Sequence, residues 1–157
     1  MSLGELTTTF IPPSSCISSF SNVYIVGSLR YVAAGPVSTD GCFPSNYNDA
    51  QNNYYSPGIC PARYTSACSS IDSIGTLTET AVICCPTSYT CNTNPLAFQS
   101  TLGCSSAFAT IATIMTYISD GVTLSTASSN AADGGFNAFS VQVRFQSTDF
   151  PATTTTS

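Results

Sequence analysis

The stretch "AFSVQVRFQ", Ala138 to Gln146, alternates without a break: Phe139, Val141, Val143 and Phe145 fall on one side of an extended chain, and Ser140, Gln142, Arg144 and Gln146 on the other. An apolar period of two predicts a strand with one face in a core and one in solvent, whereas a helical period would scatter the same residues around the axis. Outward from it the chain repeats this character. "NVYIVGSLRYVAAG" supplies strand material at Val23 to Val26 and Leu29 to Ala33, rich in β-branched and aromatic residues and closed by Gly-Pro. "IGTLTETAVIC", Ile74 to Cys84, reads as a strand with Leu77, Glu79, Ala81 and Ile83 on one face and Thr76, Thr78, Thr80 and Val82 on the other. In "FATIATIMTYISDGVTLSTAS" two β-rich runs flank Asp120-Gly121, a dipeptide suited to the positive φ of a tight hairpin. No long window carries a helical period. The expectation is an all-β chain, a disulfide-stapled β-sandwich with long loops.

Three segments follow from the same pass. Residues 1–15 form an extended, proline-punctuated lead-in, residues 16–150 one disulfide-rich β domain, and residues 151–157, "PATTTTS", the start of a Ser/Thr-rich linker. Between Asp40 and Pro61 the chain is polar and breaker-rich with no period of either kind, which predicts a long loop pinned by Cys42 and Cys60. "MSLGELTTTF" lacks the cationic and apolar regions of a secretion signal, so the expectation is that such a signal was removed and Met1 to Gly4 stand in its place. The least polar run, Ala107 to Ile118, is too short and too rich in threonine to cross a bilayer as a helix, and no membrane insertion is expected of this chain.

Composition narrows the function classes. Charged residues make up 7% of the 157 positions, against about 25% in an ordinary soluble domain, and serine and threonine fill 47 positions instead. The surface must be hydroxyl-rich and weakly charged. Lysine is absent and the cations are Arg30, Arg63 and Arg144 in a chain of net charge −5, so neither a run of phosphates nor an anionic membrane can be neutralised. Nucleic acid is excluded as an expected partner.

The eight cysteines, Cys16, Cys42, Cys60, Cys68, Cys84, Cys85, Cys91 and Cys104, accompany no histidine and form no CxxC pair. Four thiolates around zinc ordinarily come as pairs two to four residues apart, so disulfides are the expected state, no metal or cofactor is expected, and the compartment is oxidising. "CPARYTSAC", Cys60 to Cys68, is echoed by "CPTSYTC", Cys85 to Cys91, each with Cys-Pro followed by Tyr-Thr. Both read as structural staples anchoring the ends of the Ile74 to Cys84 strand: proline fixes φ after the cysteine and tyrosine packs near the sulfur. A redox role would need a thiol with a depressed pKa, and the chain has neither histidine nor lysine to depress one. Pairing is not readable from spacing, with one exception. Cys84 and Cys85 are adjacent, point to opposite faces of an extended chain, and should therefore bond two different partners.

Two constellations are candidates for function. The loop "SNYNDAQNNYYSPG" gathers Tyr47, Tyr54 and Tyr55 with Asn52 and Asn53, the chemistry of a carbohydrate platform in which flat rings are flanked by amides that read hydroxyls. A loop of this composition also serves simply to pack its tyrosines over a core and cap its own turns, and that reading is favoured because no tryptophan is present. For catalysis, the lack of histidine removes the common triads and most catalytic metal sites. A two-carboxylate glycan-active centre would draw on Asp40, Glu79, Asp120, Asp133 and Asp149, yet Asp40, Asp120 and Asp133 each precede glycine in a turn. No enzyme activity is expected. No N-x-Ser/Thr sequon occurs, whereas the terminal threonine clusters suit O-glycosylation.

Taken together, "LTTTFIPPSSC", "SPGICPARYTSAC", "ETAVICCPTSYTC", "STLGC" and "VQVRFQSTDF" resemble the Cys-rich ectodomain of a group of filamentous-fungal surface proteins, in which a Ser/Thr-rich stalk and often one transmembrane helix follow. The resemblance covers nearly the whole chain. It implies an extracellular, cell-surface location and this architecture. The hydroxyl-rich, lysine-free, disulfide-dense composition with its stalk-like end makes a structural or adhesive role in contact with cell-wall polysaccharide the first expectation. A second expectation rests on charge: without lysines to guard sheet edges, the strands at Ala107 to Ile118 and Phe139 to Gln146 would pair between copies in a self-assembling extracellular protein. A small secreted effector is a further, weaker alternative.

Overall fold

The computed structural model describes residues 1–17, 23–26, 31–36, 38–50, 52–92, 102–107, 113–119, 122–129 and 135–150. After one short helical turn, α1 (Ser14–Ile17), every element is a strand: β1 (Val23–Val26), β2 (Tyr31–Ala34), β3 (Tyr64–Ile74), β4 (Leu77–Pro86), β5 (Thr90–Cys91), β6 (Cys104–Ala107), β7 (Thr113–Ser119), β8 (Val122–Ser129), β9 (Gly135–Ala138) and β10 (Val141–Gln146). They form a seven-stranded sheet ordered β5-β6-β9-β2-β1-β7-β8 and a three-stranded sheet ordered β10-β4-β3. The chain is all-β and disulfide-stapled.

The larger sheet is mixed, with β1 parallel to β7 and β2 parallel to β9. Its β7 and β8 pair antiparallel with Ser119 opposite Val122, which leaves the two residues expected of the hairpin between them. Asp120 and Gly121 themselves lie outside the described residues, as do Asp133 and the Ser/Thr segment 151–157.

In the smaller sheet the alternation emerges over residues 141–146, with Val141 and Val143 at 0% and 1% exposure and Gln142 and Arg144 on the other face. It does not extend back to residue 138: Ala138 closes β9 in the larger sheet, and Ser140, expected in solvent, is buried while Phe139 is half-buried. Two further boundaries differ from the sequence reading. Ile74 does not begin the strand that ends near Cys84 but closes β3, because Gly75 adopts φ +64° and reverses the chain before Leu77. The segment from Cys60 to Cys68 is likewise no closed staple, since β3 starts inside it at Tyr64 and runs for 11 residues.

The disulfides connect Cys16 with Cys42, Cys60 with Cys84, Cys68 with Cys91 and Cys85 with Cys104. Adjacent Cys84 and Cys85 do take different partners. Cys42 and Cys60 pin the long loop through separate bonds, and the two echoing motifs are bonded to each other through Cys68 and Cys91 rather than each to itself. Four bonds of this kind are typical of proteins that live in an oxidising, extracellular setting.

The long loop, not a strand, covers one face of the smaller sheet. Its tail bridges β10: Tyr55 N–H donates to Gln142 O at 2.9 Å, Arg144 N–H to Tyr55 O at 2.8 Å, and Gly58 N–H to Arg144 O at 3.0 Å. Gly58 permits that approach, for a Cβ there would stand 3.1 Å from Val143 Cβ and 3.0 Å from Tyr55 O. The lead-in then lies along the loop tail, with Leu3 N–H donating to Tyr54 O, Ser56 N–H to Gly4 O and Ile59 N–H to Leu6 O. Beneath loop and lead-in a core gathers Phe43, Tyr55, Tyr64, Val82, Cys84, Val141 and Val143. A smaller core, Cys85, Cys104 and Ala138 with Ile83, Ala67 and Tyr89 packed against it, joins the two sheets on the opposite side of β4.

Candidate functional site

The five loop residues singled out in the sequence are divided by the fold. Because consecutive residues of an extended segment face opposite ways, Tyr55 turns into the core while Tyr54 turns out. Tyr55 is 2% exposed, and its hydroxyl donates to Ser45 O at 2.9 Å and to Pro44 O at 3.2 Å. Tyr47 stacks on Phe43 with ring centroids 4.2 Å apart and donates to Ser140 O at 2.9 Å. Burial pushes the Tyr55 phenol up to about 12. It drives Tyr47 and Tyr64 higher still, helped at Tyr47 by its neighbour Tyr64 and at Tyr64 by Tyr89. Asn53 is buried, its amide donating to Asn48 Oδ1 at 2.8 Å to close the loop's own turn, and Asn52 is exposed with its carbonyl held by the Met1 amino group. Tyr47, Tyr54, Tyr55, Asn52 and Asn53 therefore do not form one surface.

Tyr54 belongs to a different assembly, on the face of the smaller sheet turned away from the loop-covered core. The register sets side chains there in rows across β3, β4 and β10: Cys68, Ile83 and Gln142; Ser70, Ala81 and Arg144; Asp72, Glu79 and Gln146. Small side chains in the middle row leave an open groove of about 260 Å³ lined by Ser70, Asp72, Ala81, Ile83, Gln142 and Arg144 among others. At its β10 edge the Arg144 guanidinium lies 4.1 Å over the Tyr54 ring and donates from Nη1 to Glu79 Oε2 at 3.1 Å. One arginine thus ties the loop tail to β4 and fixes the orientation of Glu79. Asp72 and Arg144 line the groove and Glu79 pairs with Arg144 beside it, so the groove offers hydroxyl, amide and carboxylate partners but no surplus positive charge.

Of the carboxylates considered for catalysis, Asp40, Glu79 and Asp149 lie among the described residues, and each is engaged in local structure. Glu79 is committed to Arg144, and Asp149 caps a turn, accepting from Gln146 N–H at 2.6 Å while its own N–H donates to Gln146 O. Asp40 N–H donates to the Ser38 hydroxyl oxygen at 3.3 Å in an exposed turn. Among the described residues no three of His, Cys, Asp and Glu converge to hold a metal ion, and no helix is long and apolar enough to cross a membrane.

Sequence reasoning missed Arg144, Glu79, Gln142, Ser70 and Asp72 as a group. Part of the signal was present, since the alternation of residues 138–146 already placed Gln142 and Arg144 on the solvent face; what opposes them depends on register. Against protein-family models, curated proteins and solved structures alike, the chain shows no match.

Proposed function

We propose that this domain is an extracellular structural or adhesive module of a fungal cell surface whose sheet groove holds a neutral cell-wall polysaccharide. The observation that carries the reading is the groove beside Arg144 and Tyr54. It is open, as a polymer site must be to pass a chain through, floored by Ser70 and Ala81, and edged by the amide of Gln142 and the carboxylate of Asp72. Such groups exchange hydrogen bonds with sugar hydroxyls, and their charge balance favours a neutral glycan over an acidic one. The hydroxyl-rich, lysine-free composition and four disulfides suit a protein exposed outside the cell. The role is one of binding without turnover, since Glu79 and Asp149 are each engaged in local structure.

The test is retention of the oxidised domain on insoluble glucan, chitin, mannan-bearing wall and an acidic polysaccharide. Saturable binding to a neutral polymer, lost in Tyr54→Ala and Gln142→Ala while the fold is kept, is expected. Absence of binding to every neutral polymer, or binding indifferent to both substitutions, would remove the groove from the function.

A further inference from the structure

The edges of the two sheets are not where the sequence suggested. β7 lies between β1 and β8, and β10 lies between β4 and the bridging loop tail, so neither offers an edge. In the smaller sheet the edge is β3, and its stretch from Ser69 to Ile74 is exposed at every residue.

The hydrogen-bonding phase of that edge follows from its hairpin. Gly75 and Thr76 form a two-residue connection, and the pair flanking such a turn, Ile74 and Leu77, exchanges both backbone bonds. Counting back by twos, Asp72, Ser70 and Cys68 also direct their backbone groups at β4. Ser73, Ile71 and Ser69 must therefore direct theirs outward, and among the described residues no backbone group meets them there. Ile71 is 71% exposed at the centre of this row. Of the usual guards of an edge only one charge, that of Asp72, is present: the chain has no lysine, and residues 69–74 contain neither proline nor bulge.

We propose that β3 is the docking edge for a second copy of this chain, paired antiparallel about a two-fold axis through Ile71. In that register Ser69 faces Ser73 of the copy, Ile71 faces its own equivalent, and about six backbone hydrogen bonds form from groups that otherwise face water. Asp72 falls opposite Ser70 of the copy, with the two aspartates diagonal and about 8 Å apart, so like charges do not meet directly. The neighbouring registers are poorer. Centring on Ser69 drives Ile71 against the bulge between Ser66 and Cys68, and centring on Ser73 leaves Ile71 uncovered. The Ile71 pair also extends the row Ile71, Thr80 and Phe145, adding apolar contact beside the core. The three-stranded sheet becomes continuous across the axis, and the two grooves come to lie on one face; the pairing itself rests on the edge and not on what the groove binds.

Sedimentation equilibrium of the oxidised domain over a concentration series, with amide exchange on the same samples, tests this. A monomer–dimer equilibrium is expected, with protection at Ser69, Ile71 and Ser73 rising with concentration while Ser70 and Asp72 remain protected throughout by β4. Ile71→Lys, at a position exposed enough to leave the fold intact, places two cations face to face and is expected to weaken the dimer at least about tenfold. A single monomeric species up to about 1 mM, a dimer indifferent to Ile71→Lys, or concentration-dependent protection without the alternation would each overturn the pairing.

Discussion

Tyr54 and Tyr55 are neighbours in sequence and opposites in structure, which makes their separate truncation the most searching test of how the loop tail is seated. Tyr55→Ala removes a ring that is 2% exposed and packed in the core with Phe43, Val141 and Val143, and leaves the Pro44 and Ser45 carbonyls without their donor. Aromatic-to-alanine changes in a core cost about 3–5 kcal/mol. Tyr54→Ala gives up the arginine stacked on a partly exposed ring, a contact worth about 0.5–1 kcal/mol. The gap of about 3 kcal/mol is more than a hundredfold in the folding equilibrium, and with guanidinium m-values of about 2–6 kcal/mol/M it separates the two midpoints by roughly 0.5–1.5 M. Tyr55→Phe, which keeps the ring and loses only the hydroxyl, belongs between them at a cost of about 1 kcal/mol. The assay is guanidinium unfolding of the oxidised proteins followed by near-ultraviolet circular dichroism. Equal midpoints for the two alanine variants, or Tyr54→Ala as the less stable, would mean that the tail is seated one residue out of the described register and that the groove has lost its aromatic edge.

Alkaline pH provides a second handle, because the buried phenols of Tyr47, Tyr55 and Tyr64 hold their protons above the ordinary tyrosine range. From about pH 10 upward the unfolded chain binds fewer protons than the folded one, so stability falls as pH rises, by about 1.4 kcal/mol per pH unit for each buried tyrosine until its folded pKa is reached. Phenolate absorbance from these residues should appear together with the loss of near-ultraviolet dichroism; their smooth ionisation in a protein that stays folded would contradict the burial. Removing the inter-sheet bond with Cys85→Ala and Cys104→Ala opens a loop of sequence separation 19 and should cost about 3 kcal/mol by chain entropy, read as a lower denaturant midpoint. An unchanged midpoint would show that the two sheets hold together without it.

Much of the fold was legible because its signals are local. Alternation in residues 141–146 needs only the pleat of a strand, and it predicted both the buried valines and the opposite facing of the half-buried Gln142 and Arg144. The Asp120-Gly121 hairpin needs only turn chemistry, and the flanking strands pair as that turn requires. The candidate site was less legible because it is assembled by register. Nothing local says that Ser70, Ala81 and Arg144 will share a row, since those residues come from three strands whose offset is set by the Gly75 turn, the bulge after Ser66 and the return of β10 from the far sheet. The tyrosine loop failed as a platform for a related reason. Its composition reports that rings are present, but their directions are decided by the bridge to β10, which sends Tyr55 inward and Tyr54 outward.

The vicinal cysteines show how a local rule can carry a global consequence. Adjacent residues on a strand face opposite sides, so Cys84 and Cys85 could not serve one core; they required two, and two are found. Cys84 bonds Cys60 within the core roofed by the long loop, and Cys85 bonds Cys104 within the small core that joins the sheets. β4 is thus the wall shared by both, and it is crossed by no other covalent link than these two at its end. Toward the Gly75 turn the same strand has no such anchor, its Leu77 is 55% exposed, and its neighbour β3 is an open edge. The sheet is therefore clamped at one end and accessible at the other. That polarity leaves the edge available toward the turn, while the groove lies between the clamp and that edge, so the two proposals draw on adjoining parts of the three-stranded sheet.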